Sequence, residues 1–88
     1  MTAVTVSTTP NENALKFTID KDSIESGYKT FNDADEAESA PVAKALFKIE
    51  GVASVFLMAD FITVTKKPEV SWDGIQESLI EAIKASFV

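Results

Sequence analysis

The stretch VASVFLMADFITVTK, residues 52–66, decides the fold. Val52 to Met58 and Phe61 to Lys66 are two apolar-rich runs joined by Ala59-Asp60. Runs of that length and spacing read as two strands of a hairpin. A two-residue loop sets Met58 opposite Phe61, Leu57 opposite Ile62, Phe56 opposite Thr63 and Val55 opposite Val64. Directly opposed residues share one face of a sheet. One face is therefore Val55, Leu57, Ile62 and Val64, a core set. The other carries Ser54, Phe56, Met58, Phe61, Thr63 and Thr65.

Upstream, Val42, Ala45, Leu46 and Ile49 repeat with helical spacing, while Lys44 and Lys48 lie off the stripe. Ser39 is the expected cap of this helix, Pro41 sits in its first turn where no donor is missed, and Gly51 suits its C-terminal stop. Downstream, residues 66–69 (Lys-Lys-Pro-Glu) read as a linker. Ser71 is the expected cap of a last helix, and Val70 with Ile75 has the spacing of a hydrophobic staple. Trp72, Ile75, Leu79, Ala82 and Ile83 form its apolar stripe, which Phe87 extends. Further back, Thr2 to Thr8 alternates, Thr9-Pro10-Asn11-Glu12-Asn13 gathers turn-forming residues, and Ala14 to Ile19 alternates again with Leu15, Phe17 and Ile19 on one face. That is another hairpin. Residues 20–29 are polar and irregular, Tyr28 to Phe31 offers a short third strand, and residues 32–38 make an acidic approach to the first helix. The order β-β-(β)-α-β-β-α, with close strand neighbours joined as hairpins, predicts an α+β two-layer sandwich. Its sheet is mainly antiparallel, with four to five strands and two helices on one face.

The chemistry available to the chain is narrow. Its 88 residues amount to one domain, expected to span 1–88. Net charge is −6, and all eight basic residues are Lys. An acidic chain without Arg gains nothing from displacing phosphate counterions, so neither nucleic acid nor an anionic membrane is an expected partner. There is no Cys and no His. Thiolate and imidazole chemistry, disulfides and sulfur-ligated clusters are thus outside this chain's own reach. Residues 1–6 show no basic or long apolar leader, and no run approaches the roughly 20 residues of a membrane span. The expected location is cytoplasmic.

Two blocks carry a family resemblance. The first is Thr9-Pro10-Asn11-Glu12-Asn13-Ala14-Leu15-Lys16-Phe17. The second runs from Ser39 to Lys66, through SAPVAKALFKIEGVASVF and DFITVTK, with Trp72 opening the last helix in the same pattern. Together they resemble the N-terminal domain of the Nfu (NifU-like) iron–sulfur proteins. Two positions depart from the family pattern, Glu12 where Pro is frequent and Met58 where Gly is frequent. The second departure bears on the hairpin tip. In larger members a second domain holds the cluster through a Cys-x-x-Cys pair, and stand-alone forms of the N-terminal domain also exist. The resemblance implies a role in iron–sulfur cluster assembly or delivery, exercised as a non-catalytic interaction module. The implied partner is a cluster carrier or an apo-target that supplies the thiolates. No cofactor is expected on this chain alone, and it is expected to be a monomer or weak homodimer.

Four candidate sites follow from the residues. Phe56, Met58 and Phe61, with Thr63 beside them, form the expected partner-binding face, since aromatic and Met side chains are enriched in interface cores. The competing reading is that the N-terminal hairpin or the 20–30 loop covers them. Asp33, Asp35, Glu36 and Glu38 are the metal candidates, and a small iron-binding or regulatory protein using this segment is the alternative function. The calcium-loop template fails here, because counting from Asp33 its glycine and twelfth-position Glu fall on Glu38 and Lys44. The expected role of these carboxylates is a solvated segment that favours the following helix N-terminus. Asn11 and Asn13 are expected to fix their own turn rather than bind a ligand, with Glu12 exposed at its tip. Tyr28 and Lys29 are the last pair, but no spacing ties an acid to a base, and no enzyme is expected.

Overall fold

The computed structural model describes residues 3–20 and 27–86. Strands β1 (Val4–Thr8), β2 (Ala14–Ile19) and β3 (Tyr28–Phe31) lead to a short 3₁₀ turn at Glu36–Ser39 and helix α1 (Pro41–Phe47). Strands β4 (Val52–Met58) and β5 (Phe61–Lys66) and helix α2 (Trp72–Ser86) complete the chain. This is the expected α+β sandwich, with all five strands in one sheet of order β1-β2-β5-β4-β3 and every pairing antiparallel. Thr2 and Phe87 lie outside the described residues, so their expected contributions to the first strand and last helix do too.

Both expected hairpins, β1–β2 and β4–β5, are present, and the sheet order adds pairings between strands that are not consecutive in the chain. β5 inserts between β4 and the distant β2, and β3 pairs with β4 across α1. The β4–β5 register is the expected one from Met58↔Phe61 to Ser54↔Thr65, after which a bulge resets it to Val52↔Lys66. A one-residue slip turns a side chain to the opposite face. Val52, outward-facing by strict alternation, is consequently buried.

Inward residues of the strands meet the helices in one cluster. Leu15, Phe17, Ile19, Phe31, Val55, Leu57, Ile62 and Val64 pack with Val42, Ala43 and Leu46 of α1 and Ile75, Leu79 and Ile83 of α2. Both helices therefore cover the same face.

Three local expectations are revised. The N-cap of α1 is Ala40, extended at φ −128°, with no side-chain cap, because Ser39 belongs to the preceding 3₁₀ turn. The helix ends at Phe47 with Lys48 as its C-cap, so Ile49 lies beyond it. Gly51 is needed further on, at the entry to β4: its φ is +105°, and an added Cβ would come within 2.9 Å of a Val70 methyl. Ser71 does cap α2, its Oγ accepting the Asp73 N–H at 3.3 Å. At the β4–β5 tip, Ala59 adopts φ +47°, a conformation that glycine takes without strain.

Candidate functional site: the outer face of the sheet

Alternation along five antiparallel strands places a second set of side chains on the face opposite the helices. The register arranges them in rungs. One rung runs Tyr28, Met58, Phe61, Thr18 and Thr5 from edge to edge, and the next runs Thr30, Phe56, Thr63, Lys16 and Ser7. Aromatic contacts zigzag between these rungs. The rings of Tyr28 and Phe56 lie 5.9 Å apart and those of Phe56 and Phe61 6.2 Å apart, both tilted. Lys16 sets its ammonium 4.5 Å from the Phe61 ring centre, within cation–π range. Separations and tilts of this kind suit the ring quadrupoles. The row is thus fixed by diagonal neighbours on four successive strands.

The predicted face is therefore assembled, and its members differ in accessibility. Met58 is 41% exposed and Tyr28 is 68% exposed, while Phe56, Phe61 and Thr63 are half-buried. Sequence reasoning missed Tyr28 and Lys16 as parts of this surface. Both depend on strand neighbours that are not adjacent in the chain. Lys29, the other half of the Tyr28 pair, points to the opposite side and lies 5.8 Å from the Phe31 ring centre. The two do not converge on a common point.

The Asn-containing turn is held from within and from outside. Thr9 Oγ1 donates to the Asn11 carbonyl and accepts the Asn11 N–H, and Asn11 Oδ1 accepts the Asn13 N–H at 2.9 Å. Asn13 reaches further: its Oδ1 accepts from the Lys66 ammonium at 2.9 Å, and its carbonyl accepts the Lys66 N–H at 2.7 Å. Lys66, read from sequence both as the end of the strand Phe61 to Lys66 and as the first residue of a linker, is the last residue of β5 and only 8% exposed. Its position in the alternation matches Ile62 and Val64, so it faces the helix layer, where the Trp72 ring centre lies 5.7 Å from its ammonium. The Trp72 indole N–H in turn donates to the Glu12 carbonyl at 3.1 Å. This cluster ties the β1–β2 turn to β5 and to the start of α2, a structural role.

The acidic segment is also locally engaged. Asp33 Oδ1 accepts the Glu36 N–H at 2.8 Å, and Glu36 Oε1 accepts the Asn32 N–H at 3.1 Å, a reciprocal pair that fixes the N-terminal entry to the 3₁₀ turn. Glu38 pairs with Lys44 at 3.2 Å on the surface. Among the described residues no group of three or more acidic side chains is placed to hold a metal ion. Among those residues, too, no helix is long and apolar enough to cross a membrane.

Residues 4–88 match the family model described as the N-terminal part of the scaffold protein Nfu/NifU. The chain belongs to the Nfu/NifU family. The human protein named NFU1 iron-sulfur cluster scaffold homolog, mitochondrial, is 41% identical over 80 residues, 90% of this chain and 32% of its own length. NifU-like protein 5, mitochondrial, of Arabidopsis thaliana is 40% identical over 75 residues, 85% of this chain and 27% of its own length. This Nfu-type chain thus spans roughly a quarter to a third of the curated relatives it matches. Among solved structures, a NifU-like protein of Saccharomyces cerevisiae superposes with a TM-score of 0.83 at 29% identity, covering 94% of this chain and 76% of that one. Protein SAV1430 of Staphylococcus aureus gives 0.72 at 32% identity, covering 97% and 98%. These names correct one expectation. The curated Nfu relatives are mitochondrial proteins, which overturns the cytoplasmic location inferred from residues 1–6.

Proposed function

We propose that this chain is a non-catalytic docking module in iron–sulfur cluster assembly or delivery. The outer face of the sheet, with Phe56, Met58, Phe61 and Thr63 at its centre and Tyr28 and Lys16 flanking them, receives a cluster carrier or an apo-target. The reading is supported chiefly by one observation: a chain without Cys or His carries three aromatic rings and a Met on a sheet face that neither helix covers. Solvent-facing apolar groups that are contiguous rather than scattered mark interaction surfaces. Thiolates are the usual cluster ligands, so the partner supplies them and this chain supplies recognition. The name of the human relative, an iron–sulfur cluster scaffold, supports the link to cluster assembly.

The test is titration of the isotope-labelled chain with a reconstituted NifU-like scaffold bearing a Cys-x-x-Cys domain, in apo and cluster-loaded forms. Amide shifts should concentrate on β3, β4 and β5. Met58→Ser should weaken binding at least tenfold while changing the urea midpoint little. Shifts confined to the helix layer, or a Met58→Ser chain that binds as the wild type does, would remove this face from the function.

A further inference from the structure

We infer that the outer sheet face also pairs with a second copy of this chain, so that self-association and partner docking compete for one surface. The inference rests on the reading of that face as the binding surface, and it adds a regulatory state to it.

Charge is the first argument. The chain carries 14 carboxylate side chains. Across the two rungs and the flanking Ser54, Thr65 and Ala14, no strand position on the outer face holds one, and Lys16 is its single charge. Seven acids lie on the other side of the molecule or away from the sheet, four on the 33–38 segment and three along α2 at Asp73, Glu77 and Glu81, whereas Asp60 at the β4–β5 tip and Asp20 just after β2 border the face at one end. Two chains of net charge −6 therefore meet with less repulsion through this face than through the acid-bearing helix layer, which the pairing turns outward on both copies.

Self-complementarity is the second. A two-fold axis running along the strands between β4 and β5 exchanges those two strands between copies. It sets Phe61 of one copy over Met58 of the other, twice, giving sulfur–aromatic contacts at the centre. The same axis carries Lys16 on β2 onto the β3 edge strand of the other copy, within a side chain's reach of Tyr28. The cation at one end of the row thus meets the exposed phenol at the other. Sheets stacked this way pack aligned, about 10 Å apart.

Area sets the strength. Five strands spaced about 4.8 Å apart and three rungs deep offer a footprint of roughly 400–500 Å². Stable specific interfaces bury about 800 Å² per partner. The pair is accordingly transient, formed at high concentration and displaced by a tighter-binding partner.

The experiment is sedimentation equilibrium of the full chain over concentrations from about 10 µM to about 1 mM, the range in which a weak interface of this size associates, with two charge variants. Wild type should show a reversible monomer–dimer equilibrium. Tyr28→Lys places like charges opposite Lys16 and should weaken it at least tenfold. Mixing Tyr28→Lys with Lys16→Glu in equal amounts should restore association, because the carboxylate introduced on β2 of one chain then faces the ammonium introduced on β3 of the other. Circular dichroism melts matching wild type would show that both variants fold. A chain that stays monomeric at the top of that range, or a mixture no more associated than its components, overturns the pairing. The docking reading would be untouched by that result, since it is decided by the scaffold titration.

Discussion

Replacing Asn13 with Ala removes the hydrogen-bonding side chain that holds a buried ammonium. Lys66 is 8% exposed, and Asn13 Oδ1 at 2.9 Å is its short contact. What remains is the Lys67 carbonyl at 3.4 Å and the Trp72 ring at 5.7 Å. A hydrogen bond to a charged group contributes about 1.5–3 kcal/mol, and an orphaned buried charge loses at least that much. Asn13→Ala should therefore cost about 2–3 kcal/mol. Lys66→Met removes the charge and keeps an unbranched stem of similar volume, so it should cost about 1 kcal/mol or less. In the double variant the coupling between the two positions should be about 2 kcal/mol. Urea unfolding followed by the fluorescence of Trp72 is the assay, because the indole sits in the cluster being perturbed. With a slope near 1 kcal/mol per molar, as expected for a chain of this size, Asn13→Ala should lower the midpoint by about 2–3 M. An Asn13→Ala chain within about 0.5 kcal/mol of wild type would refute the reasoning, given the size expected of a charged hydrogen bond. So would a Lys66→Met chain less stable than Asn13→Ala.

Ala59→Gly should stabilise the protein by about 0.5–1 kcal/mol in the same melts, since an L-residue at φ +47° is strained and Gly is not. Gly51→Ala should destabilise by about 2 kcal/mol or more, because it meets both a positive φ and Val70 at 2.9 Å; Val70→Ala should relieve only the contact part. Asp33→Ala should cost about 1 kcal/mol as a lost cap, and the cost should be the same with or without added Mg²⁺ or Fe²⁺. Metal-dependent protection of wild type alone would point to ligation by the acidic segment instead.

Local rules made much of the fold legible. Alternation marked β1 and β2, apolar-rich runs marked β4 and β5, and the tight Ala59-Asp60 link set the β4–β5 register as far as Ser54. Long-range pairing was beyond those rules. Nothing local to β2 says that its neighbour is β5, so Lys16 and Tyr28 could not be assigned to the row that Phe56 and Phe61 begin. The bulge before Ser54 was equally hidden, because strict alternation turned Val52 outward. Lys66 was placed correctly at the end of its strand, but its burial was not legible. A Lys beside Lys67 and Pro68 has the composition of an exposed linker, and the groups that receive its ammonium, chiefly the side-chain amide of Asn13, are mostly distant in sequence. Ser39 lost the cap because Ala37 is drawn into the core, where it is fully buried, and the 3₁₀ turn around it extends through Ser39.

The central place of β5 has a consequence for how the molecule is made. Its seam with β2 joins Thr18 to Phe61 and Ala14 to Thr65, residues 43 and 51 positions apart in the chain. Contacts so distant raise the contact order and slow folding. On the ribosome, the early hairpin must wait, its inner edge unsatisfied, until residue 66 has emerged. A nascent chain stalled before that point would present an open strand to whatever chaperone or neighbour meets it first.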